Sequence, residues 1–197
     1  MPVTGWKQLA PVYFYTALVL CLILLTRSES FSWRQNVLLI GFGILSWTLL
    51  EYVLHRFIFH YRARSASGRK LLYAAHLSHH ETPRATNRFF SSLLVSLPVA
   101  TAYVLLAWIA TGSLHAAALL FAGLTAGFFC YEWLHFQAHH RRPRLRLFRY
   151  LRKYHLLHHY QTPELRFGVT SPLFDVLMGT FRPVRKRLTL ASRETRI

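Results

Sequence analysis

The sequence predicts an all-α integral membrane protein: four transmembrane helices topped by a helical cap on one strongly basic side. Three observations predict it. The 197-residue chain is 53% hydrophobic, yet it carries 24 Lys+Arg against 7 Asp+Glu, a formal net charge of +17. Four long apolar runs divide it, and eleven of its twelve histidines gather at or beyond the ends of those runs on the basic side. High charge with high apolar content excludes a disordered basic tail. It also argues against a soluble nucleic-acid-binding domain, so no nucleic-acid partner is expected. The length fits a single domain over residues 1–197.

The runs lie at about residues 9–26, 37–54, 89–111 and 114–134. At about 1.5 Å per residue each spans, or nearly spans, a hydrocarbon core of about 30 Å. The first is the shortest. No small-x-small cleavage site follows it at Arg27-Ser28-Glu29-Ser30, so it is kept as a span rather than a secretory leader. The third contains Pro98, which a membrane helix tolerates as a kink. Gly112, in the short turn Thr111-Gly112-Ser113, is a natural helix stop and makes the third and fourth runs a tight hairpin. Cys21 and Cys130 sit inside apolar runs, at no metal or disulfide spacing, and read as buried membrane-helix residues.

Four spans place both termini on one side. That side holds Lys7, seven Lys/Arg between Arg56 and Arg88 and fourteen from Arg141 onward, leaving Arg27 and Arg34 on the other. The positive-inside rule makes the basic side cytoplasmic, with cytoplasmic segments at 55–88 and 135–197. Arg outnumbers Lys 20 to 4, which suits a GC-rich bacterial genome and favours a bacterial inner membrane, with endoplasmic reticulum as the alternative.

Four clusters of histidine carry the chemistry. They are Glu51-Tyr-Val-Leu-His55-Arg-Phe-Ile-Phe-His60, His76-Leu-Ser-His79-His80, Glu132-Trp-Leu-His135-Phe-Gln-Ala-His139-His140 and His155-Leu-Leu-His158-His159. Residues three or four apart share a helix face, so these spacings aim imidazoles at common points. His55 and His60 are five apart and converge only if the helix ends or bulges between them, or if they serve different metals. The clusters also repeat: offsets are 80 for His55/His135 and His60/His140, and 79 for His76/His155 and His80/His159. The halves read as two copies of one unit about an axis along the membrane normal, each giving half of a two-metal site. Neutral imidazole suits Fe, Zn, Cu or Ni, and the histidine density exceeds what closed structural zinc needs. Two irons at a membrane surface suit O2 activation and attack on a lipid C–H bond. Zinc is an alternative occupant.

Glu51 and Glu132, four and three residues before a histidine, are candidates for accepting the second ring N–H of a ligand, here His55 and His135. Asp175, the only Asp, is expected to cap a helix or pair with Arg. Phe57, Phe59, Tyr61 and Tyr73 are candidate pocket-lining residues, and His115, alone on the opposite side, is expected to be structural.

The four boxes resemble the fatty acid hydroxylase/sterol desaturase superfamily of membrane di-iron enzymes. Lys153 to Tyr160, continuing through Phe167-Gly-Val-Thr-Ser-Pro172 to Phe174-Asp175 and Gly179-Thr180, looks like the C-terminal part of fatty acid 2-hydroxylases, and Glu51 to His60 resembles them too. The likeness covers about residues 48–183. It implies insertion of one oxygen from O2 at carbon 2 of a fatty acyl chain. The metal ligands it implies are His55, His60, His76, His79, His80, His135, His139, His155, His158 and His159. The family's third box selects His139, whereas the internal repeat pairs His60 with His140; His139 is favoured and His140 is kept as a second-sphere candidate. Many eukaryotic members carry a fused cytochrome b5 domain, which nothing here resembles, so a separate donor such as cytochrome b5 or ferredoxin is expected. His76 to Glu81 resembles carotenoid hydroxylases equally well. Carotenoid or sterol oxidation therefore stays an alternative, as does a non-catalytic membrane metal-binding or transport protein.

Overall fold

In a computed structural model, described over residues 9–27, 31–83 and 93–184, every regular element is helical. Helix α1 covers Ala10–Thr26. Helix α2 covers Trp33–Val53 and runs on into a π-helical segment, Leu54–Phe59. A short α3 (Ala66–Leu72) leads through a second π-helical segment (Tyr73–Leu77) to α4 (Ser78–Glu81). Then come α5 (Leu93–Thr111), α6 (Leu114–His140), α7 (Arg146–Tyr160) and α8 (Leu173–Leu177). The start of the expected third span, 89–92, lies outside the described residues.

Three helical stretches are long and apolar enough to cross a bilayer: Trp33–Phe59, Leu93–Thr111 and Leu114–His140. The fourth expected span, α1, is a 17-residue apolar helix, shorter than the others. Local chemistry sets the ends. Ser32 and Gln35 form a capping box at the start of α2, satisfying backbone N–H groups that would otherwise lack partners. Gly112 takes φ +66° and closes α5, and Ser113 then caps α6 by accepting from the Ala116 N–H at 3.0 Å.

Helix α6 is the axis of the bundle, with α2, α5 and α1 packed along it. It meets α2 at van der Waals backbone distance: a Cβ on Gly43 would run into the Leu120 carbonyl, and one on Gly123 into the Ile40 carbonyl. Small residues allow such approach where lipid offers no hydrophobic driving force between helices. Thr26 Oγ1 and His115 Nδ1 lie 2.9 Å apart and join the far ends of α1 and α6, the structural role expected of His115. The two cysteines depart from expectation. Cys21 and Cys130 are exposed on the outer faces of their helices, because apolar character in a span marks a lipid-facing position as readily as a packed one.

On the cap side, α7 lies against α6 and buries Leu151, Tyr154, His155, His158 and His159. That spacing of three and four is one helix face. The segment beyond α7 returns to α2 through α8 and closes the cap.

Candidate metal centre

The helix ends bring ten histidines into two groups of five. Ligand atoms of His55, His60, His76, His80 and His158 lie within 4.8 Å of one another, as do those of His79, His135, His139, His155 and His159. The groups are adjacent, with the rings of His80 and His159 stacked at 4.1 Å. Each His-x-x-His-His box is shared. Its outer histidines, four apart, face one group, and the middle one faces the other. His76 and His80 thus stand with His158, and His155 and His159 with His79.

The His55/His60 spacing is resolved by backbone geometry. Leu54–Phe59 is π-helical, with the His60 N–H donating to the His55 carbonyl at 3.2 Å, so residues five apart come round to one face. The repeat explains why. The offset between halves is 80 at His55/His135 and 79 for every later pair, with His60 then matching His139. The first half carries one extra residue, and the π-helical turn absorbs it. His139 accordingly stands in the second group. His140 belongs to neither; its ring stacks on Phe136 at 4.7 Å.

The nitrogens suit a metal. Nε2–Nε2 separations are 3.1 Å for His55/His76, 2.9 Å for His76/His80, 3.1 Å for His79/His139 and 2.9 Å for His139/His155. Two imidazole nitrogens bound at about 2.1 Å to one ion and about 90° apart lie about 3.0 Å from each other, whereas tetrahedral angles would spread them to about 3.4 Å. The donor set therefore matches five- or six-coordination better than a closed tetrahedral site. Nε2 of His60, His158 and His159 is buried with no hydrogen-bond partner among the described residues, as expected of lone pairs reserved for an ion.

Backbone carbonyls fix the tautomers. His55 Nδ1–H donates to the Phe167 carbonyl at 2.5 Å and His158 Nδ1–H to the Leu165 carbonyl at 2.7 Å, so both rings present unprotonated Nε2 inward. Both belong to the first group. Burial lowers the pKa of the cap histidines, to about 4 for His60. It does the same for His79, to about 4, helped by the nearby His140 charge, and for His80, to about 3, helped by His60 and His79. His76, His155 and His158 are pushed down for the same first cause. The rings stay neutral, the form a metal needs.

The loop that supplies these carbonyls is held by two acids, in roles the sequence did not reveal. Glu51 does not meet His55. Its carboxylate accepts the Val169 N–H, the Thr170 N–H at 3.0 Å and the Thr170 hydroxyl. Among the described residues Asp175 neither caps a helix nor pairs with Arg. Fully buried, it accepts the Phe167 and Gly168 N–H groups, each at 2.8 Å, and the Thr180 hydroxyl at 2.7 Å. Arg166, at φ +63°, sets the turn after Leu165, with its guanidinium donating to Thr162 and the Arg182 carbonyl. Glu132 is buried on α6, one turn before His135.

Beneath the first histidine group a cavity of about 310 Å³ descends between α1, α2, α5 and α6, with His55 and Glu51 at its polar end and almost wholly apolar walls. Of the aromatic residues expected to line a pocket, Phe59 does so. Phe57 is exposed beneath the Arg56 guanidinium, and Tyr61 and Tyr73 edge an open groove on the cap.

This arrangement has counterparts. The fatty acid hydroxylase family model matches residues 40–180. The chain belongs to the fatty acid hydroxylase family. It is an oxidoreductase, a lipid-hydroxylating enzyme of the membrane. It is 35% identical over 174 residues to a dihydroceramide fatty acyl 2-hydroxylase, FAH2, of Arabidopsis thaliana, covering 85% of this chain and 70% of that one. It is also 35% identical over 145 residues to the ceramide very long chain fatty acid hydroxylase SCS7 of Saccharomyces cerevisiae, covering 71% of this chain and 36% of that one. A solved structure described as full-length scs7p, with only the hydroxylase domain visible, superposes with a TM-score of 0.79 at 29% identity, covering 89% of this chain and 67% of that one.

Proposed function

We propose that this chain is an O2-dependent di-iron hydroxylase that places a hydroxyl on carbon 2 of a fatty acyl chain carried by a membrane lipid. The observation that carries the reading is the pair of interlocked five-histidine groups at the mouth of an apolar cavity. Relatives named as acyl 2-hydroxylases support the position of attack. The ligands are the ten histidines of the two groups. Nitrogen spacings near 3.0 Å favour iron over four-coordinate zinc as the resident ion. The basic side is the cytoplasmic one, facing a separate electron donor such as cytochrome b5 or ferredoxin. The compartment is a bacterial inner membrane, with endoplasmic reticulum as the alternative.

The ten histidines would hold two irons, which when reduced would supply activation of O2 and replacement of an unactivated C–H by C–OH. The chain's own residues do the rest. The Phe167 and Leu165 carbonyls hold the Nδ1 protons of His55 and His158, which keeps both rings neutral and oriented. Glu51 and Asp175 hold those carbonyls in place. The cavity takes the acyl tail and excludes water beside His55, so the carbons next to the carbonyl are the ones presented.

The test expresses the chain with a compatible reductase under 18O2 and examines extracted lipid by mass spectrometry. Acyl chains gaining one labelled oxygen at carbon 2, absent in His158→Ala, is the expected result. Unchanged lipid despite loaded iron defeats the hydroxylase reading; oxygen on a ring or a mid-chain carbon defeats the carbon-2 reading alone.

A further inference from the structure

The cavity beneath the histidines has one open end and one closed end. At its rim Ile58, Leu71 and Leu94 are 47%, 56% and 80% exposed. Deeper in the span Phe121 and Leu124 are 1% and 4% exposed. The rim residues come from the π-helical end of α2, from α3 and from the cap-side end of α5, so the opening faces sideways, where the spans meet the cap. The closed end lies deep in the span. Phe121 is fourteen residues before His135 on α6, about 21 Å along the helix axis. Tyr15 seals it. Its ring meets Phe121 and Phe128 edge-on at 6.2 and 6.0 Å, and its hydroxyl donates to Ser96 Oγ at 2.9 Å, tying α1 to α5.

We infer that this blind slot measures the acyl tail: the lipid enters sideways between Ile58, Leu71 and Leu94, and Phe121 stops the chain end. The inference rests on the acyl-hydroxylase reading and adds the residue that sets chain length. The slot is closed at a fixed depth below the histidines. A tail shorter than the slot leaves apolar wall uncovered, and a longer one holds carbon 2 away from the metal site. Burial of one methylene contributes about fourfold in binding, so a closed end discriminates between neighbouring lengths. Volume at position 121, and at Ala100 on the α5 wall, sets the optimum; the Tyr15 hydroxyl closes the wall without setting the depth.

The test supplies saturated acyl substrates of graded length to the iron-loaded, detergent-purified protein and compares kcat/KM across lengths. Phe121→Ala, with Phe121→Leu as a milder variant that keeps most of the packing, is expected to move the optimum to longer chains. A substrate two carbons beyond the wild-type optimum gains on the order of tenfold relative to that optimum. Ala100→Leu is expected to move it to shorter ones, and Tyr15→Phe to leave it in place. A parallel loss at all lengths in the Phe121 variants with iron content intact overturns the inference, as does a Tyr15→Phe shift as large as that of Phe121→Ala. Binding is read separately, as the thermal stabilisation that free fatty acids of each length confer. If the wild type hydroxylates nothing but Phe121→Ala still moves the stabilisation profile to longer chains, the slot stands and the hydroxylase reading falls. A stabilisation profile that ignores position 121 overturns the slot.

Discussion

Replacing Asp175 should cost the protein one metal and spare the other. The carboxylate accepts two amide N–H groups, from Phe167 and Gly168, at the point where the loop turns its carbonyl to His55. In Asp175→Asn one of those amides faces an NH2 group instead of an oxygen. Losing a hydrogen bond to a charged acceptor costs about 1.5–3 kcal/mol. That strain falls on the carbonyl that orients His55, and disturbing such an outer partner typically weakens metal affinity about 10- to 100-fold. The Leu165 carbonyl on the same loop orients His158, and both histidines belong to the first group. The two loop carbonyls thus both serve the first group. Under limiting chelator, metal analysis of Asp175→Asn should give close to one ion per chain where the wild type gives two. Asp175→Ala, which orphans both amides and the Thr180 hydroxyl, should add a clear loss of thermal stability. Loss of both ions together, or retention of both, would refute the reasoning that the loop serves one group.

Other expectations follow from the same geometry. His139→Ala should lower metal content and abolish activity, whereas His140→Ala should keep both ions; metal analysis of the two variants decides between the spacings. Gly43→Ala and Gly123→Ala each drive a Cβ into a backbone carbonyl of the opposing helix, and should lower stability by about 1–3 kcal/mol, read as a Tm drop in detergent. Thr170→Val removes one hydroxyl donor to Glu51 and should cost about 1 kcal/mol with little change in metal content, read from the same melts. Metal-free protein should lose stability as pH falls. The folded-state pKa values of His60, His79 and His80 lie at about 4, 4 and 3, below the ordinary 6.5 of the unfolded chain. The unfolded chain therefore binds more protons below pH 6.5, and stability that is complete above 6.5 declines down to about pH 3–4. A pH-independent Tm across that window would contradict it.

The spans and the histidine groups were legible because both are periodic. Apolar runs report a bilayer-scale length, and spacings of three and four report a helix face. The Thr111-Gly112-Ser113 stop was legible because φ +66° is glycine chemistry. What escaped is non-local. Glu51 meets Val169 and Thr170 across more than a hundred residues, and no sequence period links them. Proximity to His55 suggested a local partner, but the loop carbonyl had already taken that ring's N–H. Asp175 was misread for another reason: its partners lie only five to eight residues away, but in a loop with no helical period to reveal them. Gly43 and the Gly123-x-x-x-Gly127 pair carried a recognisable close-packing signal that the search for ligands passed over. The π-helical turn was the exception: the five-residue gap between His55 and His60 required an irregularity, and the change of offset from 80 to 79 locates it.

The sharing of boxes between the two groups makes each bound ion a cross-link as well as a reagent. The first group joins His55 to His158 and the second joins His79 to His159, so each ion closes a loop of about eighty to a hundred residues between the halves of the chain. Closing a covalent loop of about 100 residues removes conformational entropy worth about 4.7 kcal/mol. Each half supplies four of the five histidines of one group, and the other half supplies the fifth. Severing the chain between α4 and α5 should therefore leave fragments that each bind iron more weakly than the intact chain and that reassociate when iron is added. In that sense the reaction centre is also the clasp that fixes the two halves of the fold in register.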